Sequence, residues 1–542
     1  MFIHNMQNNS QTNFLPGIQL GLIAVSCFLL NNSLVAKEQK KPNLLFIMTD
    51  QQRFDALSLA GNTVLKTPNL DRLAKQGAWF RNAYTQCAVC APTRASILTG
   101  CTVENHQILT NEISSSTKES GRMPMPTFDE LLSKNGYRCE YIGKWHSPEF
   151  HTEVYQNPER TAKNGKSVFA PGGLTALYMD YINIKFPKEN LKPGELYDTF
   201  TNRPYVPNPL DKRFGLTNEE VLQMNRKFIQ PDLHGVLLTP AEHSFTAFQA
   251  KQTIEALERN KNNTFSITCS FHFPHAPMLP VKQYADLYQV KDMPVPASIS
   301  DPMLNSPYRS QNGRLDHLEY ADPEKIKYMI ADYYGLVKEI DDWVGKILEK
   351  LAKLGLEENT LVIFTSDHGD MLGAHAMREK NVFYEESAHI PLMIRFPGRI
   401  RPATTVDGYV SNIDLFATIN DYLQMPDYPT DGQSLRGMIE GTDPIHGQYV
   451  VTEWLYNEDR TPAYMILKDG WKMFIPYSEA SKVINALYNL KDDPHEMHNL
   501  LGNNPDRIQY KQKADELRED LLLWLKKNKS THYEGVKARK LI

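Results

Sequence analysis

Cysteine is scarce in this chain. Six cysteines in 542 residues exclude the dense disulfide framework that small exported domains need. Cys87 and Cys90 form one C-x-x-C, but no second C-x-x-C and no histidine pair at finger spacing accompanies them, which excludes a structural zinc finger. A redox dithiol is one reading of the pair. Cys87, Cys90, Cys101, Cys139 and Cys269 are an odd number, so any pairing among them leaves one thiol over. An excess of positive charge is also lacking. The net charge is -5 and there is no basic stripe, which excludes a nucleic-acid partner. A local cationic pocket for a polyanion stays compatible with that total. After Leu30 no apolar run is long enough to span a bilayer, and repeats and low-complexity tracts are absent.

What is present is ordinary globular composition, 41% hydrophobic and 23% charged. A chain of this length divides into two or three units, or one large domain and a smaller one, and buries a core without staples. Leu15–Leu30 (LPGIQLGLIAVSCFLL) is mostly apolar and NNSLVAKEQ follows. The run is short for a span, and Ser33–Ala36 suits cleavage. Residues 1–36 therefore read as a signal peptide, and the protein as secreted or periplasmic. A lipid anchor on Cys27 is disfavoured by Ala24 before it and Phe28 after it; an uncleaved anchor is the other alternative.

Strands and helices then alternate. Asn43–Met48 (NLLFIM), Tyr137–Ile142, Thr264–Cys269 and Leu361–Thr365 read as buried strands. Pro68–Gly77 and Thr127–Gly136 read as short helices. Ile326, Ile330, Tyr333, Val337, Ile340, Val344, Ile347 and Leu351 recur at helical spacing, predicting one long helix over Pro323–Leu354. This is the α/β class: a large, mostly parallel sheet sandwiched by helices. After about Gly447 the style changes. Tyr449–Leu455, Tyr464–Leu467 and Trp471–Ile475 predict antiparallel strands, and Pro505–Lys526 a terminal helix. The expected organisation is a main domain over 37–446, interrupted by a Pro-, Asn- and Lys-rich insertion at about 147–240, and a smaller C-terminal α+β subdomain over 447–542.

Polar groups cluster just past the strand ends. Asp50 and Gln51 follow the first strand, and Asp367 and His368 follow Leu361–Thr365. In open α/β sheets that edge binds ligands. Three side-chain oxygens and an imidazole suit a hard divalent cation such as Ca2+ or Mg2+. The plainer reading is that these residues cap strand ends; finding two such ends in one chain weighs against it. Lys144 and His146 follow the strand ending at Ile142, His275 follows the next, and Lys380 follows the Asp-His pair by a short loop. Singly each reads as a solvated or structural side chain. Together they describe a cationic pocket beside a metal, suited to a tetrahedral oxyanion. Cys90 opens a helix-compatible stretch with Pro92 in its first turn. A helix N-terminus lowers a thiol pKa, so a thiol nucleophile, a metal ligand, half a disulfide and simple packing all remain open.

Cys90-Ala-Pro-Thr-Arg94-Ala-Ser-Ile-Leu-Thr-Gly100 resembles the signature of the type I, formylglycine-dependent sulfatases of the alkaline phosphatase superfamily. The resemblance extends through Asp50-Gln51, GYRCEYIGKWH, FPHAP, ENTLVIFTSDHGD, EKNVFYEE and LYNLKDDPHEMHNL, nearly the whole mature chain. It implies a sulfuric ester hydrolase in which a formylglycine-generating or sulfatase-maturating enzyme oxidises Cys90 to formylglycine. The hydrated aldehyde attacks sulfur, the alcohol leaves, and the resulting hemiacetal expels sulfate. By the same resemblance Asp50, Gln51, Asp367, His368 and the residue at Cys90 hold the metal, Ca2+ with Mg2+ or Mn2+ as alternatives. Arg94 and Lys144 steady the formylglycine oxygens, His146 assists collapse, and His275 and Lys380 bind sulfate and serve the leaving oxygen. Gln51 departs from the commoner second Asp. Export and the insertion suit a sulfated polysaccharide or oligosaccharide, a glycosaminoglycan or algal glycan. His106, Trp145, Arg309 and Trp454 are candidate sugar contacts, each also readable as packing or surface. The rivals are a choline sulfatase-like or phosphonate and phosphodiester hydrolase, and a non-catalytic glycan-binding scaffold.

Overall fold

Strand β1, Asn43–Asp50, is buried along all eight residues, as an apolar run covered on both faces must be. Leu44, Phe46 and Met48 face one core and Leu45 and Ile47 the other. The computed structural model of the chain describes residues 40–111, 125–147, 154–156, 177–178, 181–182, 184–185, 197–198, 235–237, 239–309, 320–443, 446–456 and 460–542. The expected signal peptide, with Cys27, and most of the expected insertion lie outside the described residues.

Six further strands join β1: β2 Ala78–Tyr84, β3 Arg138–Gly143, β4 Phe265–Pro274, β5 Thr360–Ser366, β6 Leu392–Arg395 and β7 Thr404–Ser411. Their order across the sheet is β3-β4-β1-β5-β6-β2-β7. Strand β6 runs antiparallel to both of its neighbours, and the other four pairings are parallel. Helices α1 Pro68–Lys75, α4 Phe245–Asn260 and α5 Pro323–Lys353 cover one face; α2 Cys90–Thr99, α3 Phe128–Lys134 and α6 Asp414–Tyr422 cover the other. All eight stripe residues of α5 are buried. Asp322 caps its start by accepting from the Glu324 and Lys325 amides at 2.9 and 3.3 Å, and Pro323 fills the first turn.

The register of β1 against β5 pairs Thr49 with Ser366. Asp50 and Asp367 therefore emerge side by side at the same edge. Strand β4 runs five residues past the expected Cys269, to Pro274, so His275 also stands at that edge.

The antiparallel C-terminal sheet comprises β8 Tyr449–Glu453, β9 Tyr464–Lys468, β10 Trp471–Ile475 and β11 Ala486–Asn489. Helix α7, Lys511–Lys527, packs Leu517, Leu521 and Leu525 on one face of it. It begins later than Pro505 because Arg507–Tyr510 forms a 3-10 turn. The other face, with Val450, Met465 and Phe474, packs on Tyr84 at the end of β2 and on Val89 and Tyr384 beyond the larger sheet. Residues Lys41–Ile542 form one compact unit.

Candidate active site

Cys90 is the first residue of α2 and is fully buried. Its Sγ lies 3.0 Å from His368 Nε2 and 3.9 Å from Asp50 Oδ1. One donor atom each from Asp50, Cys90, Asp367 and His368 falls within 4.8 Å of all the others. Ligands at about 2.3–2.6 Å from a Ca2+ can be no more than about 5 Å apart, so the spread fits one cation. The donor set fits too: two carboxylates and an imidazole with a free nitrogen. His368 Nδ1 is 2.9 Å from the Gly369 carbonyl oxygen. That oxygen can only accept, so Nδ1 carries the proton and Nε2 is left for a metal or for the thiol proton.

The carboxylates are held by cations. Arg94 donates from Nε to Asp367 Oδ2 at 2.8 Å and from Nη2 to Asp50 Oδ2 at 3.3 Å. Its Nη1 anchors on the Lys144 carbonyl oxygen and Ser270 Oγ. Lys144 forms an ion pair with Asp50 Oδ2. Burial alone would raise the Asp50 carboxyl, but Lys144, then His275 and Arg94, hold it below the usual carboxylate range. Burial likewise opposes ionisation of the Cys90 thiol, and Lys144, Lys380 and His368 outweigh it, leaving the thiol well below its ordinary value. His146, at a left-handed φ of 47°, interacts with the same thiol; burial keeps its imidazole below the ordinary histidine value. Its Nδ1 is buried without a partner.

Lys380 enters from the loop after His368. Its Nζ donates to Gln51 Oε1 at 2.7 Å and lies 3.0 Å from His275 Nε2. His275 Nδ1 donates to the Ala276 carbonyl oxygen at 2.6 Å, so Nε2 accepts from the ammonium. Gln51 also donates from Nε2 to Asp370. The structure thus brings ten expected residues together: Asp50, Gln51, Cys90, Arg94, Lys144, His146, His275, Asp367, His368 and Lys380. The Gln51 carboxamide oxygen is engaged by Lys380.

The four candidate sugar contacts are not part of this cluster. His106 is fully buried, with Nε2 2.9 Å from Ser96 Oγ and Nδ1 accepting from the Ile108 amide. Burial pushes its pKa down to about 3, so it is a neutral internal brace. Trp145 is fully buried and packs edge-on against Tyr141 and Tyr155. Trp454 is buried in the core shared with the C-terminal sheet. These three are core residues, which corrects their reading as sugar contacts. Arg309 is exposed, with Nη1 3.4 Å from the Leu304 carbonyl oxygen. All five described cysteines are free thiols, so the C-x-x-C is not closed, and burial pushes the Cys87 thiol up.

Several supporting residues escaped sequence reasoning. Asn412 Nδ2 reaches Thr93 Oγ1 at 3.0 Å and the Asp367 carbonyl oxygen at 3.4 Å. Asn111 Oδ1 accepts from the Ala91 amide at 3.0 Å, capping a helix whose Val89 cap has no side-chain acceptor. Tyr333 donates to the Gln51 carbonyl oxygen at 2.8 Å. Asp370 alone carried a signal, as a further carboxylate in the Thr365–Gly373 stretch.

The family model described as Sulfatase matches residues 42–425, and one described as N-sulphoglucosamine sulphohydrolase, C-terminal, matches residues 373–526. An arylsulfatase of Clostridium perfringens is 29% identical over 511 residues, covering 92% of this chain and 98% of its own. An N-acetylglucosamine-6-O-sulfatase of Bacteroides thetaiotaomicron is 27% identical over 545 residues, covering 95% and 90% respectively. Among solved structures, a phosphonate monoester hydrolase of Agrobacterium radiobacter is similar in fold, with a TM-score of 0.71 at 22% identity over 90% of this chain and 96% of that one. With the Sulfatase model spanning most of its length, this chain belongs to the sulfatase family and is a sulfuric ester hydrolase.

Proposed function

We propose that this chain is an exported sulfatase acting on a sulfated oligosaccharide or polysaccharide, with Cys90 converted to formylglycine by a maturation enzyme. The observation that carries the reading is the convergence of Asp50, Asp367, His368, Lys144 and Lys380 on the Cys90 thiol. The Cys-x-Pro-x-Arg spacing from Cys90 to Arg94 supports the conversion, and in the structure Sγ stands in for the oxygens of the hydrated aldehyde. The apolar stretch Leu15–Leu30 supports export. The N-acetylglucosamine-6-O-sulfatase relative supports a sugar sulfate.

Asp50, Asp367, His368 and the residue at position 90 would hold the cation, and the oxygen-rich set suits a hard divalent ion, Ca2+, Mg2+ or Mn2+. Once bound, the cation supplies Lewis-acid stabilisation of developing charge and formylglycine supplies an oxygen nucleophile. The chain's own groups do the rest. Arg94 keeps both carboxylates aimed. His146, neutral through burial, is placed to take a proton from a hydroxyl at position 90. Lys380 neutralises the sulfate oxygens, and the Lys380–His275 pair holds a proton for the departing sugar oxygen.

Protein co-expressed with a maturation enzyme tests this. A tryptic peptide spanning position 90 should have the mass of formylglycine, and the protein should release sulfate from sulfated sugars. Cys90→Ala should fold and lose all turnover. An unmodified cysteine in fully active protein would overturn the reading. So would a preference of about ten-fold, about 1.4 kcal/mol in barrier, for a phosphonate monoester over every sulfate ester offered.

A further inference from the structure

The loop that carries Lys380 is unusual in its backbone. Five non-glycine residues around it take positive φ: Leu372 at 42°, His375 and Ala376 at 52°, Glu379 at 58° and Asn381 at 77°. Side-chain-bearing residues adopt this region at a cost and stay there only where their surroundings enforce it. At the loop's base, Asp370 Oδ1 accepts from the Leu372 amide at 2.8 Å and the Glu379 amide at 3.2 Å. That ties the two ends together. Within the loop the Gly373 amide donates to the Met377 carbonyl oxygen and the Met377 amide to the Ala374 carbonyl oxygen, both at 2.9 Å.

His375 sits at the apex. It is fully buried, and a separate segment grips it twice. Its amide donates to Ser298 Oγ at 3.1 Å, and its Nδ1 lies 2.8 Å from Asp301 Oδ2. A carboxylate accepts, so Nδ1 donates. Asp301 is itself set by the Met303 amide, 2.9 Å from Oδ1. The His375 ring stacks on Tyr384, with centroids 4.0 Å apart and planes 14° from parallel. Tyr384 lies four residues beyond Lys380, so His375 grips the loop and the chain that leaves it. An apolar ring would serve the stacking as well. Desolvating an imidazole and a carboxylate is costly unless the directional bond between them has work to do.

We infer that His375 and Asp301 form a clamp that positions Lys380 over the sulfate. Both are positioning residues that act through the ammonium. The inference rests on the role proposed for Lys380. Without the clamp the apex keeps only its internal backbone bonds against the cost of its left-handed conformations, and Lys380 Nζ loses its fixed place between Gln51 Oε1 and His275 Nε2.

The test is a double-mutant cycle on the matured, metal-loaded enzyme, with an aryl sulfate as substrate and thermal unfolding as the folding control. His375→Phe keeps the stack on Tyr384 and removes the donor. Asp301→Ala removes the acceptor from the other segment and serves if the His375 variant does not fold. Each is expected to lower kcat/KM about 10- to 100-fold, the usual effect of losing an outer support for an active-site group. Asp301→Asn keeps an acceptor oxygen and is expected to restore most of the loss. In a Lys380→Ala background the same changes should cost less than about two-fold, because coupled residues are non-additive. A full, additive loss in that background would overturn the clamp, as would wild-type activity in both His375→Phe and Asp301→Ala. Lys380→Ala with undiminished activity would instead refute the proposed role of Lys380, and the clamp with it.

Discussion

Gln51 stands one residue past Asp50 at a φ of 71°, and both ends of its carboxamide are engaged. Oε1 accepts from Lys380 and Nε2 donates to Asp370. An ionised carboxylate can only accept, so Asp370 turns the amide nitrogen toward itself and the oxygen toward Lys380. Gln51→Glu would keep the acceptor and set a second one against Asp370. It is expected to lower unfolding stability by about 1–3 kcal/mol, the cost of a lost buried partner. Asp370→Asn in the same chain should recover most of that, as urea unfolding would read. Equal stability of Gln51→Glu and wild type would show that Asp370 does not orient the amide. Asp50, Asp367 and His368 were legible because each is polar at the end of an apolar run. Asn412, 45 residues beyond Asp367, reaches it only through the fold and left no pattern to read. His106, Trp145 and Trp454 were misjudged for a related reason. Residue type suggested sugar contacts, whereas burial is decided by packing.

Helix α2 brings Cys90 and Arg94 to the sheet edge, and every residue from Cys90 to Thr99 is buried. A helix apolar and polar all round shows no amphipathic stripe, so its cues were its ends: Pro92 in the first turn and Gly100 after the last. Gly100 has a φ of 68°, and a Cβ there would lie 2.8 Å from Thr430 Cγ2 and 2.9 Å from Phe416 Cβ. Gly100→Ala therefore meets both a left-handed backbone and a filled space. It should destabilise the protein by about 1–3 kcal/mol and lower Tm; an unchanged Tm would mean that Thr430 and Phe416 can give way. Elements with one strong pattern, the helical stripe of α5 and the unbroken apolar run of β1, were readable almost to their ends. Strand β6 was not read as a strand, because its four residues, Leu392–Arg395, are too few to show a period. Helix α4 buries Gln249, Thr253 and Asn260 along with its apolar residues, which blurs the stripe that would have revealed it.

The change of style near Gly447 was visible in the sequence, but the tie of the C-terminal sheet to both ends of α2 was not. Glu453 ends β8, and its amide donates to the Gln86 carbonyl oxygen at 2.8 Å. Its Oε1 accepts from Gln86 Nε2 at 3.1 Å and from the Val103 amide. Gln86 and Val103 bracket α2, so this one carboxyl joins the small sheet to both ends of the Cys90 helix. Its Oε2 is buried without a partner among the described residues. Burial pushes Glu453 up to about 8, from 4.5 in an open chain, and the neighbouring Glu104 and Asp431 push in the same direction. The folded protein thus holds a proton here that the unfolded chain releases. The stabilisation is present in full below 4.5 and is lost as pH rises through about 8. Glu453→Gln keeps an acceptor and cannot ionise. Its Tm should track that of the wild type near about pH 4.5 and rise progressively above it toward about pH 9. Taking the difference between the two proteins cancels other titrating groups, such as Asp129 and Glu339, which are common to both. A difference that stays constant across that range would mean that Glu453 titrates alike in the folded and unfolded chain, and that the joint between the small sheet and α2 does not depend on its proton.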